Sequence, residues 1–168
     1  SYNMLGNYGH LGNQMFQYAC LIACADRMGV DAACPQSDGF TCNSKSRISH
    51  CFNLGSAQDG YLHPQMCEVY KEPRYSYHDG IRDLDPKENW DLFGYYQTEK
   101  YFKDREDLIR KDFTFKDEVS AATDRLGMNP ESKIAIHIRR TDYQNLQDVH
   151  PFPSEDYYRE AMEDFPEG

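Results

Sequence analysis

No stretch of the sequence approaches the ~18 consecutive apolar residues that a membrane span needs, and it opens Ser1-Tyr2-Asn3-Met4 without a basic-then-apolar leader. A soluble, cytoplasmic chain is expected, with Ser1 in the place of an initiator Met suggesting a processed end. Basic residues are scarce: 18 Lys and Arg face 28 Asp and Glu, a formal charge of −10. A chain this acidic repels a phosphate polyanion, which excludes a general nucleic-acid coat but leaves room for a local anion site. Metal-ligand spacings are missing too. There is no C-x2-C pair and no Asp-x-Asp dyad flanked by strand character. The six cysteines, Cys20, Cys24, Cys34, Cys42, Cys51 and Cys67, include one close pair, Cys20 and Cys24, at helical spacing in an apolar stretch. They are expected to be reduced, structural thiols, and no metal site is expected. Hydrophobic residues make up only 39 %, yet 13 Tyr and 9 Phe bring the aromatic share to 14 %, too much for disorder. At 168 residues the chain has room for one domain, or one domain with an appendage.

The N-terminal segment has the order strand, glycine loop, helix. Tyr2 to Leu5 is a short strand candidate, and the glycines of Gly6-Asn7-Tyr8-Gly9-His10-Leu11-Gly12 permit positive φ and close approach to a ligand. Asn13 then caps a helix running from Gln14 to about Met28, with Met15, Ala19, Ile22 and Ala23 at helical spacing and Gly29 as its stop. Unpaired N–H groups at such a helix start suit an anion or a polar sugar. The spacing is GxxGxxG rather than the dinucleotide GxGxxG, and pattern alone favours a plain N-cap role for Asn13.

Residues 35 to 90 carry little aliphatic periodicity and much Gly, Asp, Ser, His, Pro and Tyr, as in a pocket-shaping insertion. Val69-Tyr70 and Tyr75 to Tyr77 are its candidate strands. The aromatic run Trp90 to Tyr96, followed by Tyr101-Phe102, fits core packing better than sugar stacking. Helices are expected from Lys103 to about Asp112, burying Leu108 and Ile109, and from Asp117 to Leu126, burying Val119, Ala122 and Leu126. Lys133 to Arg140, with isoleucine at every second position, reads as a central strand. Ligands of open α/β sheets sit beyond strand carboxyl ends, so Arg139 and Arg140 are aimed at the usual place of a nucleotide diphosphate. A surface ion pair with Asp142 is the alternative. Ser154 caps a last helix, with Glu155 and Asp156 in its first turn and Tyr158, Ala161, Met162 and Phe165 inward.

Three segments carry a family resemblance. Gly9-His10-Leu11-Gly12-Asn13-Gln14-Met15-Phe16-Gln17-Tyr18-Ala19 resembles the G-R-L-G-N-Q-M-F-Q-Y-A signature of the family 11 glycosyltransferases, the α-1,2-fucosyltransferases, with His10 where the family has Arg. Gly94-Tyr95-Tyr96-Gln97-Thr98-Glu99-Lys100-Tyr101-Phe102 is similar to the family's G-Y-x-Q-S/T-x-K-Y-F segment. His137-Ile138-Arg139-Arg140-Thr141-Asp142-Tyr143 resembles the H-x-R-R-x-D-Y motif of GDP-fucose-dependent fucosyltransferases.

The resemblance implies a GT-B-like α/β fold: an acceptor-side α/β domain over residues 1–130, and over 131–168 the first strand and helix of a truncated Rossmann-type nucleotide-sugar-binding domain. The family's later guanosine-binding segments are absent, so an N-terminal portion of such an enzyme is expected. Implied too is inverting, metal-independent transfer of fucose from GDP-fucose, the donor substrate, to a glycan hydroxyl, with no cofactor. Arg139 would hold the pyrophosphate, Arg140 and Asp142 would order the motif, His137 would line the nucleotide side, and Gly12 and Asn13 would sit by the fucose. A bidentate guanidinium can stabilise charge growing on departing GDP without a metal. Asp148 and His150 are base candidates by position only. The alternative function is a non-catalytic glycan-binding or assembly module. An uncovered strand at 134–138 and the inner face of the last helix point to a possible homodimer.

Overall fold

The computed structural model describes residues 1–36, 47–127, 136–138, 142–145, 147–148 and 151–165. It divides into two compact units, Ser1–Ala122 and Thr123–Gly168.

The first unit is organised around helix α1, Leu11–Met28. Every residue from Gln17 to Ala25 is buried, so this helix is enclosed on all sides rather than amphipathic. Its small residues Ala19, Cys20, Ala23 and Cys24 let neighbours approach closely, while Leu21 and Ile22 each contribute roughly 1.5–3 kcal/mol by burial. The helix ends as expected at Gly29, whose left-handed conformation lets Val30 N–H bond back to the Ala25 carbonyl at 3.0 Å.

Strands β1, Ala32–Cys34, and β2, Ala57–Asp59, pair in parallel, with Ala32 opposite Ala57. Strands β3, Glu68–Lys71, and β4, Trp90–Phe93, form a second parallel pair, with Glu68 opposite Trp90. Tyr2 to Leu5 is not a strand. Ser1 and Tyr2 join the two pairs: Tyr2 N–H donates to Ala33 O at 3.1 Å, and Leu92 N–H donates to Ser1 O at 2.9 Å. Turn bonds then take over, Leu5 N–H to Tyr2 O and Asn7 N–H to Met4 O, because the chain must reverse into α1 within a few residues. With parallel strand pairs and helices in one unit the fold is mixed α/β, although β2 and β3 are largely exposed.

Between the strands lie helix α2, Ile48–Cys51, and one-turn 3-10 helices at Pro64–Met66 and Asp79–Asp83. Val69-Tyr70 is a strand as expected; Tyr75 to Tyr77 is not, and Tyr75 stands 83 % exposed. The aromatic run does enter the core through Tyr96 and Tyr101, which meet edge to face at 5.2 Å. The segment from Lys103 begins as a 3-10 turn and becomes helix α3, Glu106–Asp112, with Ile109 buried and Leu108 half-buried. Asp112 is 2 % exposed and accepts from Tyr18 Oη at 2.6 Å and from Ser56 N–H at 3.0 Å, tying α3 to α1 and to the approach to β2. Helix α4, Asp117–Asp124, buries none of its residues. Leu126, expected inside, is exposed, as is Ala122, because the helix stops before a second apolar turn forms.

In the second unit, Ile136, His137 and Ile138 belong to no strand and are exposed, against the expected central strand. Alternating isoleucines need neighbouring strands to become a sheet, and among the described residues of this unit there are none. The rest of that expected strand lies outside the described residues. Helix α5, Glu155–Glu163, begins as expected: Ser154 Oγ accepts from Tyr157 N–H at 3.2 Å, with Glu155 and Asp156 in the first turn. Its expected inward face is half-covered, with Tyr158 and Ala161 half-buried and Met162 and Phe165 exposed.

Candidate functional site

The glycine loop ends at the carboxyl ends of β3 and β4, where parallel sheets present their ligands. Asn13 is not the cap of α1. His10 holds the cap position with extended backbone, and Asn13 falls within the first turn. The helix starts earlier because Gly9, at φ +93°, turns the chain where a side chain would be strained. A Cβ on Gly9 would also lie 2.4 Å from Asn13 Nδ2 and 2.6 Å from Asn13 Cβ. Gly9 thus makes room for the Asn13 side chain, which reaches the second motif: Asn13 Oδ1 accepts from Gln97 Nε2 at 2.6 Å.

A second tie runs deeper. Buried Gln17 donates through Nε2 to the Tyr8 carbonyl at 2.7 Å and the Gly94 carbonyl at 3.3 Å. Gly94 is also clasped by the Tyr2 hydroxyl, which donates to its carbonyl and accepts from its N–H at 3.3 Å. Nothing larger than glycine fits there, since an added Cβ would lie 2.4 Å from Glu72 Cβ. Glu72 then fixes the turn after β4: its Oε2 accepts from Tyr95 N–H at 2.8 Å and from Tyr96 N–H at 3.0 Å. Those bonds hold Tyr96 at φ +53°, the one described non-glycine residue with positive φ. The turn in its backbone carries Gln97 to Asn13.

Above this framework is an aromatic cleft. Tyr8 stacks on Phe93 at 4.9 Å and on Tyr95 at 4.3 Å, and Tyr75 lies 6.1 Å from Tyr95. Burial, and a hydrogen bond with Tyr95, raise the Tyr8 hydroxyl above its usual value, keeping it protonated at neutral pH. The cleft measures about 230 Å³.

Gly12, the second residue of α1, is exposed and borders a separate apolar groove of about 410 Å³ with Phe16, Phe102 and Phe113. In the second unit His137 is exposed and Asp148 is exposed in a turn. Asp142 opens the short 3-10 turn Asp142–Asn145. Arg139, Arg140 and His150 lie outside the described residues. Of the sequence-derived candidates, the structure therefore brings Gly12 and Asn13 together at the start of α1 and joins Asn13 to Gln97. Glu72, Gln17 and Gly94 were missed as site-building residues. Gln17 and Gly94 sat inside the quoted motifs; Glu72, in a loop-rich stretch, had no pattern to mark it.

Among the described residues, no three His, Cys, Asp or Glu side chains cluster as a metal site, and no helix is long and apolar enough to cross a membrane. The five described cysteines are unpaired thiols. The family model of glycosyl transferase family 11 matches residues 2–168. Comparison with curated proteins gave no match, and neither did comparison with solved structures.

Proposed function

The chain belongs to glycosyl transferase family 11, and on that premise we propose that it serves the transfer of fucose from GDP-fucose to a hydroxyl of an acceptor glycan. The observation that carries the reading is the interlock of the first two family motifs, Asn13 with Gln97 and Gln17 with Gly94, around the end of a parallel strand pair. Residues 1–130 take the acceptor side, and 131–168 belong to the nucleotide-sugar side of a GT-B-like arrangement.

The reaction is a displacement at the fucose anomeric carbon. The acceptor oxygen forms the new bond to that carbon from the face opposite the diphosphate, the bond to the diphosphate oxygen breaks with its electron pair leaving on GDP, and configuration inverts. Arg139 is assigned to the diphosphate, where a bidentate, charge-assisted pair is worth roughly 1.5–3 kcal/mol. Arg140 and Asp142 order that segment, and His137 lines the nucleotide side. Gly12 and Asn13 face the sugar, with Asn13 oriented by Gln97. The hydroxyl proton passes to Asp148 or His150 acting as base. No metal is needed, because the guanidinium supplies the positive charge.

Incubation with GDP-fucose and a galactoside acceptor, followed by NMR of the product, tests this. Product with the anomeric configuration opposite to the donor's is expected, and retention of configuration would contradict the mechanism. The aromatic cleft favours a second reading, a glycan-binding module without catalysis; fucosylated product excludes it.

A further inference from the structure

Tyr75 is a large aromatic side chain that the fold does not use. It is 83 % exposed, and its only ring neighbour among the described residues is Tyr95, at 6.1 Å and tilted 32°. Tyr8 and Phe93 support Tyr95 from behind through their own stacks. The facing loop, 73–75, brings Arg74, which is exposed and has no hydrogen-bond or ion-pair partner among the described residues. Lys71, at the carboxyl end of β3, is exposed beside it, with Nζ 5.9 Å from the centre of the Phe93 ring and no described carboxylate partner. Two cations with no described carboxylate partner thus line one cleft, beside Glu72, whose Oε2 is engaged by the Tyr95 and Tyr96 N–H groups.

At about 230 Å³ the cleft is smaller than the roughly 300–1,000 Å³ typical of drug-sized ligands, and it suits a single ring. A flat aromatic wall flanked by hydrogen-bond donors matches a pyranose, whose axial C–H groups form an apolar face and whose hydroxyls project at the rim. A nucleobase would also stack, and the GDP titration below distinguishes it from a sugar.

We propose that the cleft bordered by Tyr75 and Tyr95 holds one pyranose ring of the acceptor glycan, stacked on the exposed face of Tyr75 and hydrogen-bonded by Lys71 and Arg74. The proposal rests on the glycosyl-transfer reading above and adds the residues that select the acceptor. Tyr8 belongs both to this wall and to the backbone tie with Gln17, so the cleft adjoins the loop that carries Gly9 and leads into Asn13 on α1.

Saturation-transfer NMR with methyl β-galactopyranoside tests it, using wild type, Tyr75→Ala, Arg74→Ala and the distant exposed control Lys87→Ala, each checked for folding by circular dichroism. Saturation of the sugar ring C–H protons is expected in wild type and control. Binding about two- to twelvefold weaker is expected in Tyr75→Ala, from loss of one stacked ring. Equal saturation in Tyr75→Ala and wild type, or none in wild type with GDP present or absent, overturns the proposal. GDP titration of the same samples separates the two claims. GDP binding with sugar contact indifferent to Tyr75 refutes the cleft and leaves the transfer reading standing. Sugar contact that depends on Tyr75 in a chain that ignores GDP overturns the acceptor role and makes the cleft a plain glycan-binding site.

Discussion

Replacing Gly9 with alanine tests the geometry that holds the first motif in place. The backbone there sits at φ +93°, and an added Cβ would lie 2.4–2.9 Å from three atoms of the Asn13 side chain. Backbone strain at such a position costs about 1–3 kcal/mol. Asn13 must also move, which breaks its 2.6 Å bond to Gln97, a neutral and partly solvated contact worth about 0.5–1 kcal/mol. The sum is a loss of about 1.5–4 kcal/mol, or roughly 0.8–2 M in urea midpoint for an m-value near 2 kcal/mol/M. Trp90, the chain's single tryptophan, lies in the first unit with its indole N–H on the Asp85 carbonyl at 2.9 Å, so its fluorescence follows the unfolding of that unit alone. Gly12→Ala is the matched comparison. Nothing lies within 4 Å of a Cβ there, and the residue is helical. Alanine at Gly12 should therefore leave stability unchanged or raise it by up to about 1 kcal/mol. It should still weaken donor binding if the fucose approaches the backbone at that point. A Gly9→Ala variant within about 0.5 kcal/mol of wild type would refute the argument.

Asp112→Ala strands the Tyr18 hydroxyl and the Ser56 N–H in the interior, and urea unfolding should show a loss of about 2–4 kcal/mol, larger than that of Tyr18→Phe. The hydrogen bond from Arg27 holds the Asp104 carboxyl down at about 2. Its stabilisation is therefore complete above the ordinary carboxylate value of about 3.9 and is lost as pH falls through about 2. With the side chain 37 % exposed the amount is at most about 1 kcal/mol, and Asp104→Asn should flatten the stability profile over that window. Thiol titration should count six reactive cysteines in denaturant. Among the five described cysteines of the native chain, half-buried Cys51 and Cys67 should react before the buried three, because burial pushes Cys20 well up and Cys34 up to about 12.

Strong local signals in the sequence translated into structure. The dense run of α1, the Gly29 stop, the Ser154 cap and the Val69-Tyr70 strand all rest on nearest-neighbour chemistry, and all appear. The three motifs, quoted residue by residue, led to the family that the whole chain matches. Errors arose where a tertiary partner decides. Asn13 has a capping residue's chemistry, but the turn at Gly9 starts the helix before it and hands its side chain to Gln97. Strands β1 and β2 are three residues long, too short for alternation to register, and β1 is tied to β4 through the distant Ser1 and Tyr2 backbone. Ile136 and Ile138 alternate as a strand should, but alternation supplies no neighbouring strand. Of the site, the motif residues were legible and their supports were not: Glu72 bonds two backbone N–H groups from 23 and 24 residues away, a relation no sequence period encodes.

The most direct test of the central claim is calorimetric titration of GDP into wild type and Arg139→Ala at fixed salt. A GDP-fucose-dependent transferase with Arg139 on the diphosphate predicts a saturable heat in wild type and binding weakened about tenfold or more in the variant, the equivalent of losing one charge-assisted pair. Identical weak heats from the two proteins would contradict it.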